Sequence, residues 1–219
     1  MRVGILGSGL MGGKLGMLFA RAGHEVVFSY SRSRKKLVGL AREAGKDSWA
    51  GTPSEAVQGA DAVLIAVHWS QIDDVLKQAG DLSTKLVMSC SLPMNDSNTE
   101  LVVAHTSSGS EELAKKIPKS WVVAAFNTVP SEVLFGVFEA RNQANRPHLV
   151  YCGDNASAKK VAARLIHAVG FEPMDAGPLR IARHTEPFGL LMGQLAYEGK
   201  GSAELAYRFD RFVAPASAK

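Results

Sequence analysis

The chain has 219 residues, 46% hydrophobic and 21% charged, and 25 Lys+Arg against 21 Asp+Glu give it a formal charge of +4. That length carries one compact core with room for a small appendage, and the balance excludes disorder over most of the chain. The basic excess is mild and scattered, which suits an anionic small ligand and argues against nucleic acid.

Arg2–Leu6 is a short apolar run, and Gly7–Gly13 is a glycine loop. Residues 10–22 have helical spacing, with Leu15, Leu18, Phe19 and Ala22 on one face. Residues 25–30 (EVVFSY) read as a strand, and residues 34–44 as a helix ended by Gly45. Thr52 is placed to cap a short helix over 53–58. The continuous apolar run AVLIAV at 62–67 predicts a strand covered on both faces. A helix follows over 70–79 and a strand over 85–91. Residues 93–109 are polar and aperiodic, a loop, before a helix over 110–117 and a strand over 121–126. Pro130 suits the first turn of a helix over 130–140. Next come a strand over 148–152, a helix capped by Asp154 and reaching about His167, and a last strand over 171–174. That helix turns Val161, Leu165, Ile166 and Val169 inward. From Pro178 to Phe212 the pattern is helical, divided by Pro187, Gly189, Gly193, Gly199 and Gly201, and 214–219 read as a frayed tail.

Two cysteines, Cys90 and Cys152, exclude a disulfide scaffold and a Cys-rich zinc site; both lie in apolar runs and read as reduced, buried thiols. No stretch reaches the ~18 apolar residues of a membrane span. Five glycines between Gly4 and Gly13 interrupt the N-terminal run that could pass for a leader, and a cytoplasmic location is expected.

Alternating strands and helices from residue 2 to about 174 predict an α/β fold, a Rossmann-type doubly wound, mostly parallel sheet with a short C-terminal helical part. The division expected is a dinucleotide-binding domain over 1–176 and a helical segment over 177–219 that completes an acceptor pocket or a dimer interface.

Gly7-Ser8-Gly9-Leu10-Met11-Gly12 is G-x-G-x-x-G, directly after a strand and opening a helix. The first glycine permits the tight turn, the second lets backbone approach a pyrophosphate, and the third packs helix against strand. The helix N-terminus adds free N–H groups and a positive dipole end. Gly16 extends the close packing by one turn.

The residue that reads the ribose belongs at the end of the second strand. An NAD binder carries an acid there. This chain has Ser31-Arg32-Ser33-Arg34-Lys35-Lys36 instead, with no acid between Glu25 and Glu43. Hydroxyls and a guanidinium fit a 2′-phosphate, so NADP(H) is expected over NAD(H).

With these residues in view, the chain resembles the coenzyme F420-dependent NADP oxidoreductases. The resemblance rests on MRVGILGSGLMGGKLG, GHEVVFSYSR, IAVHW and AAFNTVP, and most specifically on YCGDNASAKKVAARLIHAVGFEPMDAGPL. The cytosolic reductase domain of the STEAP metalloreductases is similar at greater distance. The resemblance implies a homodimer and hydride transfer between NADP(H) and a deazaflavin or flavin-type small-molecule acceptor: F420, FMN or FAD. It places Ser8, Gly9, Leu10 and Met11 at the pyrophosphate, and Ser31, Arg32 and Lys36 at the 2′-phosphate. It puts Val67, His68 and Trp69 at adenosine and ribose, Ser91 and Leu92 near the nicotinamide, and Asn127 and Thr128 beneath it. The chain departs from the family pattern at His68, at Asn127 and over 91–95, all on the acceptor side.

Hydride transfer between two bound rings asks the protein to align carbons and exclude water, so no catalytic side chain is assigned. His68 is the candidate for a general acid, with an adenosine-side wall as its other role. His24, His105, His148 and His167 read as surface or packing residues. His184, with Arg180 and Arg183, could meet an anionic acceptor or form a solvated basic face. Tyr30, Trp69 and Phe126 could flank a ring or sit in the core. Residues 190–197 (LLMGQLAY) could line the acceptor pocket, a dimer seam or the core. No metal site and no Ser-His-Asp spacing is found. Two other classes remain open: a reductase of imine or hydroxy-acid type, and a non-catalytic NADPH-binding redox sensor.

Overall fold

A computed structural model describes residues 1–45 and 47–212. The chain runs β1 (Arg2–Leu6), α1 (Leu10–Arg21), β2 (Glu25–Ser29), α2 (Arg34–Ala44), β3 (Ser48–Ala50), α3 (Pro53–Val57) and β4 (Ala62–Ile65). A 3-10 turn (Trp69–Gln71) leads into α4 (Ile72–Ala79), then β5 (Leu86–Ser89), α5 (Gly109–Lys116), β6 (Trp121–Ala124) and α6 (Val133–Glu139). It ends with β7 (His148–Gly153), α7 (Ala156–Ala168), β8 (Glu172–Asp175), a second 3-10 turn (Leu179–Ile181) and α8 (Ala182–Tyr197).

The strands form one sheet in the order β3-β2-β1-β4-β5-β6-β7-β8. Every pairing is parallel except β6 with β7, which meet antiparallel over two residue pairs. This is the doubly wound α/β fold the alternation predicts. The chain winds outward from β1 to β3, then returns beside β1 as β4. The carboxyl ends of β1 and β4 therefore flank a switch point, where such sheets bind ligands.

The apolar runs are explained by burial on both faces. Along β4, Ala62 and Leu64 enter the core under α1, α2, α6 and α7, while Val63 and Ile65 enter the opposite core under α3, α4 and α5. Glycines set the layer spacing where helix and strand nearly touch. A Cβ on Gly16 would strike the Phe28 ring. Thr52 caps α3 in a reciprocal box with Glu55.

Four sequence expectations change. Pro130 lies ahead of α6, which starts at Val133, so it does not occupy the first helical turn. The cap of α7 is Asn155, whose Oδ1 accepts from Ala158 N at 2.9 Å; Asp154 accepts from Leu179 N at 2.8 Å and ties down the 3-10 turn instead. Residues 182–197 form one helix running through Pro187, Gly189 and Gly193. An interior proline costs about 3 kcal/mol, and here buried contacts on both sides, at Glu186 and Gly189, hold the helix in place. Residues 198–212 are irregular, not helical. They lie along β7: His148 N donates to Tyr207 O at 2.9 Å, and Phe209 N to His148 Nδ1 at 2.9 Å. The short strand β3 gave no apolar signal, because its residues are only partly covered. The tail over 214–219 lies outside the described residues. No helix among the described residues is long and apolar enough to cross a membrane.

Candidate functional site

The turn after β1 has Gly7 at φ 121, a conformation glycine adopts freely. A Cβ at Gly7 would meet the Ala66 carbonyl, and one at Gly12 the Gly7 carbonyl. Gly9 differs: a Cβ there meets nothing within 4 Å. Two glycines of the motif are thus required by the protein's own packing, while the third leaves open space. Behind them, α1 has no side-chain cap and no acid in its first turn. By contrast, α2, α3, α5 and α7 are capped by Ser33, Thr52, Ser108 and Asn155. The uncapped N–H groups of α1 are those an anion would satisfy.

At the end of β2, Tyr30 takes φ 59 and Ser8 Oγ reaches its carbonyl at 3.4 Å. Ser31 Oγ accepts from Ser33 N at 3.1 Å, and Ser33 Oγ from Lys36 N at 3.3 Å, which organises the entry to α2. Arg32 and Lys36 are exposed and form no ion pair among the described residues. Glycine turn and basic corner open into one groove of about 990 Å³. It brings together Gly7, Ser8, Gly9, Ser31, Arg32, Ser33, Lys36, Val67 and His68 of the nominated residues. Tyr30, read from sequence as a ring flank or a core residue, lines it, and so do Thr52, Gln71, Asp74 and Gln78, which were not nominated. Their signal is spatial, since they come from three separate connections.

The other nominated residues stand outside that groove. Leu10 is exposed in the first turn of α1, Met11 is half-buried beside it, and Gly12 is buried beneath. Trp69 is half-buried in the 3-10 turn and Leu92 half-buried after β5. Ser91 Oγ donates to Val67 O at 2.7 Å, joining the β4 and β5 ends. Phe126 is wholly buried core at φ 65, directly before Asn127. Asn127 is 6% exposed, and neither its Oδ1 nor its Nδ2 has a partner. An unmet buried amide costs about 1–3 kcal/mol, and such sites mark places where something else binds. The Asn127 carbonyl lies against Gly189 of α8, where a Cβ would clash. Thr128 Oγ1 is 2.8 Å from Tyr207 Oη, which also accepts from Val150 N at 2.9 Å.

His68 Nδ1 accepts from Ser70 N at 3.3 Å, and Nε2 lies 3.2 Å from Asn95 O. With Nδ1 accepting, it is Nε2 that faces the Asn95 carbonyl. The ring links Asn95, in the loop after β5, to the end of β4. Arg183 is committed as well, bonded twice to Glu111 at 2.8 and 2.7 Å, while Arg180 and His184 are exposed. In the 190–197 stretch, Met192 and Ala196 are core, and Leu191, Leu195 and Tyr197 are exposed. Burial pushes both cysteine thiols up to about 12, so they are inert at neutral pH. Among the described residues, no group of His, Cys, Asp and Glu could hold a metal ion.

One buried carboxylate joins α8 to the start of α5. Glu186 of α8 accepts from Gly109 N at 2.7 Å, Ser110 N at 2.9 Å and Ser110 Oγ at 2.8 Å, capping α5 from across the fold. Glu186→Ala strips those donors and is expected to cost about 2–3 kcal/mol in a denaturant melt. Burial raises the Glu186 pKa above its ordinary 4.5, against the pull of the donors. A raised folded pKa stabilises at low pH, and that stability is lost as pH rises through it. Glu186→Gln should therefore gain on the wild type as pH climbs from 4.5 towards neutrality, read as the difference in Tm.

Comparison with known proteins follows these elements. Residues 2–93 match the sequence model of the family described as NADP oxidoreductase, coenzyme F420-dependent. Over those residues the chain is similar to that family. The match spans β1 to the loop after β5, which includes the glycine turn, the basic corner and His68. Metalloreductase STEAP3 of Rattus norvegicus is 29% identical over 189 residues, 86% of this chain and 36% of its own. The chain thus spans about a third of the length of that curated relative. Among solved structures, a candidate F420-dependent NADP reductase from Arthrobacter sp. FB24 superposes with TM-score 0.84 at 22% identity, covering 96% of this chain and 100% of that one. A reductive aminase from Aspergillus terreus in complex with NADPH and ethyl levulinate gives TM-score 0.63 at 16% identity, over 89% of this chain and 61% of its own. At these identities the two structures speak for the fold. Beyond residue 93, the likeness is the one carried by the relative and the solved structures.

Proposed function

We propose that the protein is an NADPH-dependent oxidoreductase that moves a hydride between NADP(H) and a deazaflavin or flavin-type acceptor such as F420. The observation that carries the reading is the groove itself. It joins an uncapped helix N-terminus and an open Gly9 to a corner where Arg32 and Lys36 stand without a carboxylate partner. These features suit a pyrophosphate at the one end and a 2′-phosphate at the other. When bound, NADPH supplies the hydride from its nicotinamide.

In this reading the chain's own residues bind and align. The N–H groups of α1 take the pyrophosphate, and Ser31, Ser33, Arg32 and Lys36 take the 2′-phosphate. Val67, His68 and Trp69 border the adenosine and ribose. Ser91, Leu92, Asn127 and Thr128 surround the ring end, where the unpaired Asn127 amide matches a carboxamide donor for acceptor. α8 and the 198–212 segment back the acceptor side, which keeps 177–219 as a functional unit apart from the 1–176 domain. A homodimer through exposed Leu191, Leu195 and Tyr197 and a cytoplasmic location complete the proposal.

The test is NADPH oxidation at 340 nm with F420, FMN, FAD and riboflavin offered in parallel. Rapid turnover with one of these acceptors is the expected result. Tight NADPH binding without turnover on any of them would overturn the acceptor class and leave coenzyme binding standing.

A further inference from the structure

β6 and β7 meet antiparallel at Val123 with Gly153 and at Ala124 with Cys152. Continued for two more residues, that register would set Phe126 against Val150. The ladder stops short of that pair: Phe126, wholly buried, turns the chain away through a left-handed backbone at φ 65. Backbone of this kind in a bulky residue persists only where its surroundings hold it, and it collects at ligand sites. On β7, Tyr151 O and Gly153 N face the β8 side, so Val150 N, on the alternate side, faces the space β6 has left. A buried N–H there needs a partner. Tyr207, 57 positions on, supplies it: its Oη accepts from Val150 N at 2.9 Å and lies 2.8 Å from Thr128 Oγ1. One phenol oxygen thus stands where the ladder's next acceptor would be and joins the two parted strands. Burial pushes the Tyr207 phenol above its ordinary pKa, so it keeps its proton at physiological pH, available to Thr128. The ring itself is fixed by other contacts, edge-on to Phe188 at 5.0 Å, with Tyr207 O accepting from His148 N at 2.9 Å.

We infer that Tyr207 is a positioning residue for the ring end of the site: its hydroxyl holds Thr128, and through it Asn127, in the backbone setting that presents the unpaired Asn127 amide. The inference rests on the NADP(H) reading and adds to it a residue that lies outside the coenzyme groove. Asn127 is 6% exposed with both amide atoms unmet, so its setting alone decides what it can bond. The segment it belongs to is held at three points. Lys14 Nζ of α1 donates to Ser131 O at 3.0 Å and Oγ at 3.1 Å, Gly189 of α8 lies against the Asn127 carbonyl, and Tyr207 holds Thr128. Of the three, the Tyr207 bond acts one residue from the Asn127 amide and reaches it from the C-terminal segment. Groups that anchor the phosphates lie in the groove, so they are untouched when the hydroxyl is removed. Ring placement is not, and small displacements of a reacting ring are costly. If the hydroxyl only fastened 198–212 to β7, its loss would lower stability and leave the ring end as it was.

Titration of the wild type and Tyr207→Phe with NADPH and with adenosine 2′,5′-bisphosphate, which lacks the nicotinamide, separates the two roles. Tyr207→Phe keeps the ring contacts and removes the hydroxyl alone. The bisphosphate should bind both proteins within about twofold, while NADPH affinity falls at least about fivefold in the variant. The fluorescence change of the reduced nicotinamide on binding should shrink with it. Should Tyr207→Phe lose the fold, Thr128→Val serves, since it removes the same hydrogen bond from the other side and should shift NADPH the same way. Where both variants fold, the double variant should be no worse than the weaker single one, because the two hydroxyls act through one bond. Equal weakening of NADPH and the bisphosphate, or NADPH affinity and fluorescence unchanged in both variants, would overturn the positioning role. Failure of both ligands to bind the wild type would overturn the NADP(H) reading beneath it.

Discussion

Arg32→Ala is expected to weaken NADPH binding by about 1.5–3 kcal/mol, the scale of a hydrogen bond to a charged group, and to leave NADH binding nearly untouched. Arg32 sits on the wall of the coenzyme groove with no carboxylate to pair with. A 2′-phosphate would be its first anionic partner. Lys36, on the same wall, limits the loss and keeps it from being total. Titration of the variant with both coenzymes, followed by reduced-nicotinamide fluorescence, reads the effect. Equal losses for NADPH and NADH would remove Arg32 from the 2′-phosphate.

The glycine turn supplies the second large effect, and two of its positions pull apart what one substitution would confound. At Gly12 an added Cβ lands on the Gly7 carbonyl and within 3.0 Å of Ala66 Cβ, backbone on one side and strand edge on the other. Neither neighbour can swing away, so Gly12→Ala should cost about 3 kcal/mol or more. For a chain of this length that is a fall in Tm of roughly 6–12 °C. At Gly9 the added Cβ meets nothing, and the backbone, φ −73 and ψ −162, is open to any residue. Gly9→Ala should therefore leave Tm unchanged and still weaken NADPH at least about tenfold, ~1.4 kcal/mol, because the methyl occupies the space a pyrophosphate would take. A Gly9→Ala variant that melts normally and binds NADPH like the wild type would show that nothing approaches the turn there.

What the sequence revealed and what it hid follow one physical line. Signals within a few residues were legible: the Thr52 cap with Glu55, the both-faces burial of 62–65, and the alternation that sets the sheet. The glycine turn was legible because its chemistry is local and its spacing fixed. Contacts between distant segments were not. Tyr30 meets Asp74 across 44 positions, and Thr128 meets Tyr207 across 79. No periodicity announces either pair, so the Tyr30–Asp74 side of the groove and the path of 198–212 along β7 appear only in three dimensions. α8 shows tertiary contacts overriding local propensity: Pro187, Gly189 and Gly193 read as breaks, yet the buried Glu186 cap and the Gly189–Asn127 contact keep the helix whole. The contact of His68 with Asn95, in a loop 27 positions on, leaves no trace in sequence either.

The most direct test of the central claim is a pair of titrations of the wild-type protein, one with NADPH and one with NADH. The account predicts that NADPH binds tighter by about 100-fold, ~2.8 kcal/mol, through the unpaired basic corner at Arg32 and Lys36. Equal affinity for the two, or tighter binding of NADH, would contradict it.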